Sequence, residues 1–338
     1  KFKIDSKLEA KDLQKLEKKF KIKINNEFET LYQSKRAEKK SIINEKIIMR
    51  SSYSSWIRGI TDFNLINLDK DHDGDISYQK KDIKIIDDKD NAKFKEPNPL
   101  SDFPKGTNSG SCLHNILERF NFQEINNAEN LNIIIEEELS AFGIDKSFTN
   151  NIKKGLERVV YSSLGEYFQN QRLIDINSSD ILKEVKFHLP LSINGKNITS
   201  SQLSKCFLLN KESEFGGDYA NAVQNLKINS KGFHSGSIDC LLKIRGNGDS
   251  GKWWIIDWKS NLICNEDNNK SIPLNYNYEN MRLEMIKHHY PLQSHLYLLA
   301  VHRLLKWRLK NYNPGKDLGG YIYIFIRGLP NKEIENKT

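Results

Sequence analysis

Two carboxylates and an ammonium stand out in this sequence by type and spacing. Asp239 ends the run Gly236-Ser237-Ile238-Asp239, and Asp257 follows after seventeen intervening residues, opening Asp257-Trp258-Lys259-Ser260. Side chains in a strand alternate between faces, so Trp253, Ile255, Asp257 and Lys259 share one side while Trp254, Ile256 and Trp258 share the other. Both sides are apolar until Asp257, which reads as a buried strand presenting a carboxylate and an ammonium at its C-terminal end. Burying Asp257 near Asp239 is costly unless a proton or a cation neutralises the pair. Hard oxygen ligands converging on one point suit Mg2+ or Mn2+, and Lys259 beside such an ion is placed to orient a water or to stabilise charge on a phosphorane. That chemistry is metal-assisted phosphodiester hydrolysis. A lone D-x-K at a strand end is a common pattern, and the preceding strand with its own Asp239 is what gives this one weight.

Two further pairs sit at helical i, i+4 spacing. His114 and Glu118 share one helix face, and an imidazole can complete a metal shell otherwise made of oxygens. Gln293 and Tyr297 share a face near the start of a later helix, where an amide and a phenol suit a phosphate and a base. Taken singly, a helix-surface histidine and an amphipathic Gln/Tyr pair are ordinary packing features. The remaining histidines carry no signal beyond that.

The elements that must position these groups can be read from periodicity. Leu113, Ile116, Leu117 and Phe120 recur at helical spacing after a glycine- and serine-rich turn, with Ser111 as the expected N-cap. Helical pattern continues through 133–142 and 152–169. Strands are expected at 184–189, 237–244 and 252–258, a long helix at 291–310 and a closing strand at 321–326. The order fits an α/β layer fold. Upstream, residues 1–50 read as exposed helices, 46–60 as a strand running into a polar turn, and 61–100 as an acidic, Asn-rich linker ending in Pro97-Asn98-Pro99.

Composition narrows the function. Of 338 residues, 38% are apolar and 28% charged, with a formal charge of +8, a mild basic excess compatible with a polyanionic partner. The four cysteines are dispersed without a C-x-x-C pair, against a disulfide framework or a structural zinc site. No apolar run is long enough to span a bilayer, so no membrane role is expected. The first residues carry charge where a signal peptide needs an apolar stretch and lack an initiator Met. The chain therefore reads as part of a longer, cytoplasmic protein.

With these residues in view, the sequence resembles the C-terminal nuclease-domain family of RecB subunits of exodeoxyribonuclease V, within the PD-(D/E)XK nuclease superfamily. Phe103-Pro104-Lys105-Gly106 with Leu113-His114 and Glu118 is similar to the family's first motif, and Gly236-Ser237-Ile238-Asp239 to its second. Ile256-Asp257-Trp258-Lys259-Ser260-Asn261 is similar to its catalytic strand, with Trp258 where the family usually has Tyr. Tyr290-Pro291-Leu292-Gln293 through Tyr297 is similar to its Q-x-x-x-Y helix, and the block from Gly319 to Gly328 to its closing strand.

The resemblance implies a restriction-endonuclease-like core, a mixed central sheet flanked by helices, with a helical N-terminal extension. It divides the chain into a helicase-region tail over 1–60, a linker over 61–100 and a nuclease domain over 101–338. It implies that His114, Asp239, Asp257 and the Trp258 backbone carbonyl hold Mg2+, with Mn2+ as an alternative and Ca2+ as an occupant that does not support catalysis. Lys259 is implied as the catalytic lysine alongside Asp257 and Asp239. Gln293 and Tyr297 are implied as parts of the DNA-side motif, and, apart from the resemblance, the basic residues Arg282, Lys287, Arg303 and Arg327 are expected to line the strand's path. Glu118 is a candidate for orienting a neighbour. Implied partners are DNA strands from unwound duplex and RecC- and RecD-like subunits, in double-strand-break repair and recombination. Some relatives hold an iron–sulfur cluster through cysteines near the C-terminus; no cysteine follows Cys264 here, so none is expected. No Walker A motif occurs, so ATP-driven unwinding belongs to a longer chain.

Two competing readings remain. One is a catalytically silent nuclease-fold scaffold that guides DNA or docks a partner subunit, against which stand the retained Asp and Lys residues. The other concerns Asp69-Lys70-Asp71-His72-Asp73-Gly74-Asp75-Ile76, which matches the first eight positions of an EF-hand loop. Its twelfth position is Lys80 instead of Glu, which removes two ligand oxygens and adds a positive charge, so an acidic linker is the favoured reading.

Overall fold

The computed structural model describes residues 50–58, 97–191, 196–209, 215–245, 251–264 and 271–330. All of them fall in the unit Met49–Thr338. The helices expected over 1–50 and the acidic loop at Asp69, Asp71, Asp73 and Asp75 lie outside the described residues.

In chain order the elements are β1 (Arg50–Ser51), α1 (Tyr53–Arg58), α2 (Thr107–Arg119), α3 (Ala128–Ala141), α4 (Thr149–Tyr161), β2 (Ile181–Pro190), β3 (Ile198–Thr199), α5 (Ser200–Leu208), α6 (Gly217–Gln224), β4 (Asn229–Ser230), β5 (Phe233–Ile244), β6 (Lys252–Lys259), α7 (Tyr278–Lys287), α8 (Tyr290–Arg308), α9 (Pro314–Asp317) and β7 (Leu318–Phe325). The fold is mixed α/β with a mixed sheet flanked by helices. β5 pairs antiparallel with β2 along nearly its whole length. Its other edge is therefore shared by β1, parallel at Phe233 and His234, and by β6, antiparallel from Cys240 to Ile244. Between them that edge opens, and Asp239 sits at the opening. β6 continues to Lys259 on the strength of its parallel pairing with β7.

The period-2 pattern of β6 works as read. Trp254, Ile256 and Trp258 join a core formed with α2, α3 and α4 on one face of the sheet, and Trp253 and Ile255 join a core formed with α5, α6 and α8 on the other. The β6–β7 register shifts at Trp253/Trp254, where the Trp254 indole lies against Gly319, and a Cβ there would come within 2.2 Å of the ring. Only glycine permits that approach.

Several boundaries differ from the sequence reading. Helix α2 starts at Thr107 behind Gly106, so Ser111 lies inside the helix, and its hydroxyl donates to the Thr107 carbonyl one turn back at 2.8 Å. The polar stretch after Ser51 is not a turn but the start of α1, which buries Tyr53 and Trp56. Helix α4 ends at Tyr161, and one 3-10 turn, Glu166–Phe168, follows where helix was expected. No helix is long and apolar enough to cross a membrane among the described residues.

Candidate active site

β6 ends where the chemistry was expected. Asp257 and Lys259 share a face of the strand and are 4% and 1% exposed. Lys259 Nζ is 2.7 Å from Asp257 Oδ2 and donates to Gln293 Oε1 at 3.1 Å. The ammonium also lies 3.8 Å from the centroid of the Tyr290 ring and 5.4 Å from that of Tyr323. Those two rings stack on each other, 5.5 Å apart. The Tyr323 hydroxyl lies 2.8 Å from the Tyr290 carbonyl and 3.2 Å from Gln293 Oε1, and shares its single proton between them. Burial, and then the charge of Asp257, push that phenol well above its usual value, so it remains a donor. Helix α8 supplies Tyr290 and Gln293 because Pro291 suits its first turn.

Helix α2 brings the second pair. A Cβ at Gly110 would meet Ser260 Oγ at 2.9 Å, so the helix packs tightly on the end of β6. One turn on, on the same face, His114 Nδ1 comes within 3.4 Å of Asp239 Oδ1. The other carboxylate oxygen accepts the Trp258 backbone N–H at 2.8 Å. Burial raises the Asp239 pKa, but His114, the Trp258 amide and Lys259 outweigh it and hold the carboxyl below its usual value.

The structure thus forms two adjoining pairs, His114–Asp239 and Asp257–Lys259, linked through Trp258. Among the described residues, no three His, Cys, Asp or Glu side chains converge in metal-holding geometry. The donors are those a hard divalent ion accepts. Here Asp257 Oδ2 faces Lys259.

The other expected site residues differ in exposure and in contacts. Gln293 and Tyr297 are 2% and 1% exposed, and Gln293 Nε2 donates to the Tyr297 hydroxyl at 3.1 Å, so the pair braces Lys259 from the interior. Arg327 is 1% exposed and spends its guanidinium on four backbone carbonyls, Ser260, Leu100, Phe103 and Pro104, at 2.7–2.8 Å. It ties the end of β6 to the loop before α2. Glu118 is exposed, and its charge acts on Lys183, whose ammonium donates to the Leu117 and Phe120 carbonyls at the end of α2. Of the other basic residues, Lys287 and Arg303 are exposed, and Arg282 is half-buried.

Lys183 carries no signal in the sequence reading, and Tyr290 and Tyr323 enter it only inside longer blocks, with no role of their own. Tyr290 stands three residues before Gln293, but nothing in its type alone tells a packing aromatic from the floor of an ammonium site.

A mixed sheet flanked by helices, with a carboxylate–lysine pair at the end of an inner strand, is compatible with an α/β nuclease core. No family model matches the chain. It is homologous to curated proteins named RecBCD enzyme subunit RecB. Over 228 residues, 67% of this chain, it is 30% identical to that of Buchnera aphidicola subsp. Baizongia pistaciae. It is 27% identical to the Haemophilus influenzae protein over 234 residues, 68% of this chain, and 26% identical to the Escherichia coli protein over 227 residues, 67% of this chain. In all three, the match spans 17% of the relative's length.

Proposed function

We propose that this chain is the nuclease part of a RecBCD-type helicase–nuclease, with a PD-(D/E)XK core, that hydrolyses DNA strands in double-strand-break repair. The observation that carries the reading is the buried Asp257–Lys259 pair placed beside His114–Asp239 at the open edge of β5. His114, Asp239, Asp257 and the Trp258 carbonyl are the groups that would hold Mg2+, with Mn2+ as an alternative and Ca2+ as a non-supporting occupant. When bound, the ion supplies Lewis acidity toward a phosphoryl oxygen and a more acidic water.

The chain's own residues then have distinct tasks. Lys259 holds a proton at Nζ next to the position of the scissile phosphate, where its charge favours the developing negative charge on the phosphoryl oxygens. Gln293, Tyr290 and Tyr323 fix the direction of that ammonium. The Trp258 amide and His114 orient Asp239. The proposal extends to assembly with RecC- and RecD-like subunits in the cytoplasm.

The test is digestion of end-labelled single-stranded DNA by the purified chain in Mg2+, in EDTA, and in EDTA followed by excess Mg2+. The reading expects cleavage, its loss, and its return. Cleavage that persists in EDTA rules out the metal, and absence of cleavage in all three rules out the hydrolytic reading of this chain.

A further inference from the structure

Strand β2 changes face in mid-course. Ile181 packs with the core under α2, and Lys183 bonds to the carbonyls that end α2, whereas Val185 and Phe187 pack with the core on the opposite side. The switch falls at Glu184, whose φ of 49° is the left-handed conformation that a strand residue rarely adopts. The register runs from Lys183↔Cys240 to Val185↔Ile238, so Glu184 comes opposite Asp239. Beyond it, Lys186 lies opposite Ser237 and His188 opposite Ser235. Directly opposed residues point to the same face of a sheet, so all four lie on the face that carries α2 and His114.

Among the described residues, that half of the face has no apolar cover. The core under α2 takes Cys240, Leu242 and Ile244 from β5 and nothing from 233–239. In its place stands a polar row. The Ser235 hydroxyl accepts from Arg50 Nε at 2.8 Å and contacts His188 Nδ1 at 2.8 Å, and the Ser237 hydroxyl donates to Glu184 Oε2 at 2.8 Å. Lys186 and His188 are exposed and Arg50 is half-buried. The row starts at Asp239 and extends four residues along β5, roughly 13 Å. Its acids, Asp239 and Glu184, are at one end, and Lys186 and Arg50 lie farther out.

We infer that Arg50, Lys186 and His188, aligned over Ser235 and Ser237, form the track on which the phosphodiester backbone of the substrate strand lies next to the Asp239 site. The inference rests on the nuclease reading above and adds the direction in which the strand runs, along β5 toward β1. Guanidinium and ammonium donors in a row, held over the buried Ser235 and Ser237 hydroxyls, suit successive phosphates, and contacts of this kind position a strand without reading its bases.

The experiment measures binding of the full chain to a labelled oligothymidylate by fluorescence anisotropy in EDTA, across a salt series. Arg50→Gln and Lys186→Gln each weaken binding several-fold and lower the slope of log K against log salt by about 0.7, and the double variant lowers it by about twice that. Lys205→Gln on α5, at the opposite face, removes the same charge and leaves the slope unchanged. Lys186 is exposed, so its variant reports binding free of any folding defect. A double variant with the wild-type affinity and slope overturns the track while leaving cleavage, and so the nuclease reading, intact. Normal binding by a wild-type chain that does not cleave removes the hydrolytic reading but keeps the track. No binding by the wild-type chain overturns the track as well.

Discussion

The ammonium of Lys259 rests 3.8 Å from the centroid of the Tyr290 ring, inside the protein. A buried ammonium is tolerated only when its surroundings replace the water it lost. Asp257 supplies charge, Gln293 an acceptor and Tyr290 the negative face of an aromatic ring.

A desolvated cation–π contact is worth about 2 kcal/mol. Tyr290→Leu therefore lowers the cleavage rate roughly thirtyfold through misplacement of Lys259, whereas Tyr290→Phe keeps the ring and most of the rate. Single-turnover cleavage of labelled DNA measures both. Equal rates for Leu and Phe would remove the ring from the account.

Gln293→Leu removes an acceptor from Lys259 and a donor to the Tyr297 hydroxyl. A buried hydrogen bond to a charged group is worth about 1.5–3 kcal/mol, so urea unfolding should show a loss of about that size. DNA affinity in EDTA should be unchanged, because the amide faces inward. A variant of normal stability but weakened DNA binding would return Gln293 to the DNA side.

Arg327→Lys is not a conservative change, because one ammonium cannot follow the planar fork that reaches four carbonyls. Both Arg327→Lys and Arg327→Leu are expected to lose about 3 kcal/mol or more of stability. The midpoint in urea is the readout, and a near-native midpoint for Lys would show that the fork is dispensable.

His234 is fully buried, its ring tilted on Trp56, Nδ1 near Ser51 Oγ, and Nε2 without a partner among the described residues. Burial pushes its pKa down from 6.5 to about 3. The unfolded chain takes up this proton below pH 6.5, while the native chain does so only near pH 3. The stability the neutral ring contributes is thus complete above pH 6.5 and falls with pH through the window between the two values, by roughly 1.4 kcal/mol per unit. Urea titrations at pH 7 and 5 should differ by about 2 kcal/mol more in the wild type than in His234→Phe. Parallel pH profiles would show that His234 does not titrate in this way.

What was legible in the sequence follows from which signals are local. The strands bearing Asp239 and Asp257 declare themselves by short continuous apolar runs, and helix α8 by its length. The His114 and Asp239 blocks were readable as motifs, and the fold brings them within contact. Burial is a tertiary property that the sequence does not declare: Gln293, Tyr297 and Arg327 have the side chains of DNA ligands and are enclosed. Helix α7 and the short α5 and α6 were missed because their few apolar residues pack against partners distant in sequence. The residues that position Lys259 were hidden for a related reason, since an aromatic ring beneath an ammonium leaves no spacing pattern.

The account depends most on Asp257 as the group that links the lysine to the hydrolytic centre. The direct measurement is the rate of DNA cleavage in Mg2+ by Asp257→Asn beside the wild type, with folding of each checked by circular dichroism. The account predicts a native spectrum and a rate reduced more than about a hundredfold. A folded Asp257→Asn chain that cleaves at the wild-type rate would contradict it.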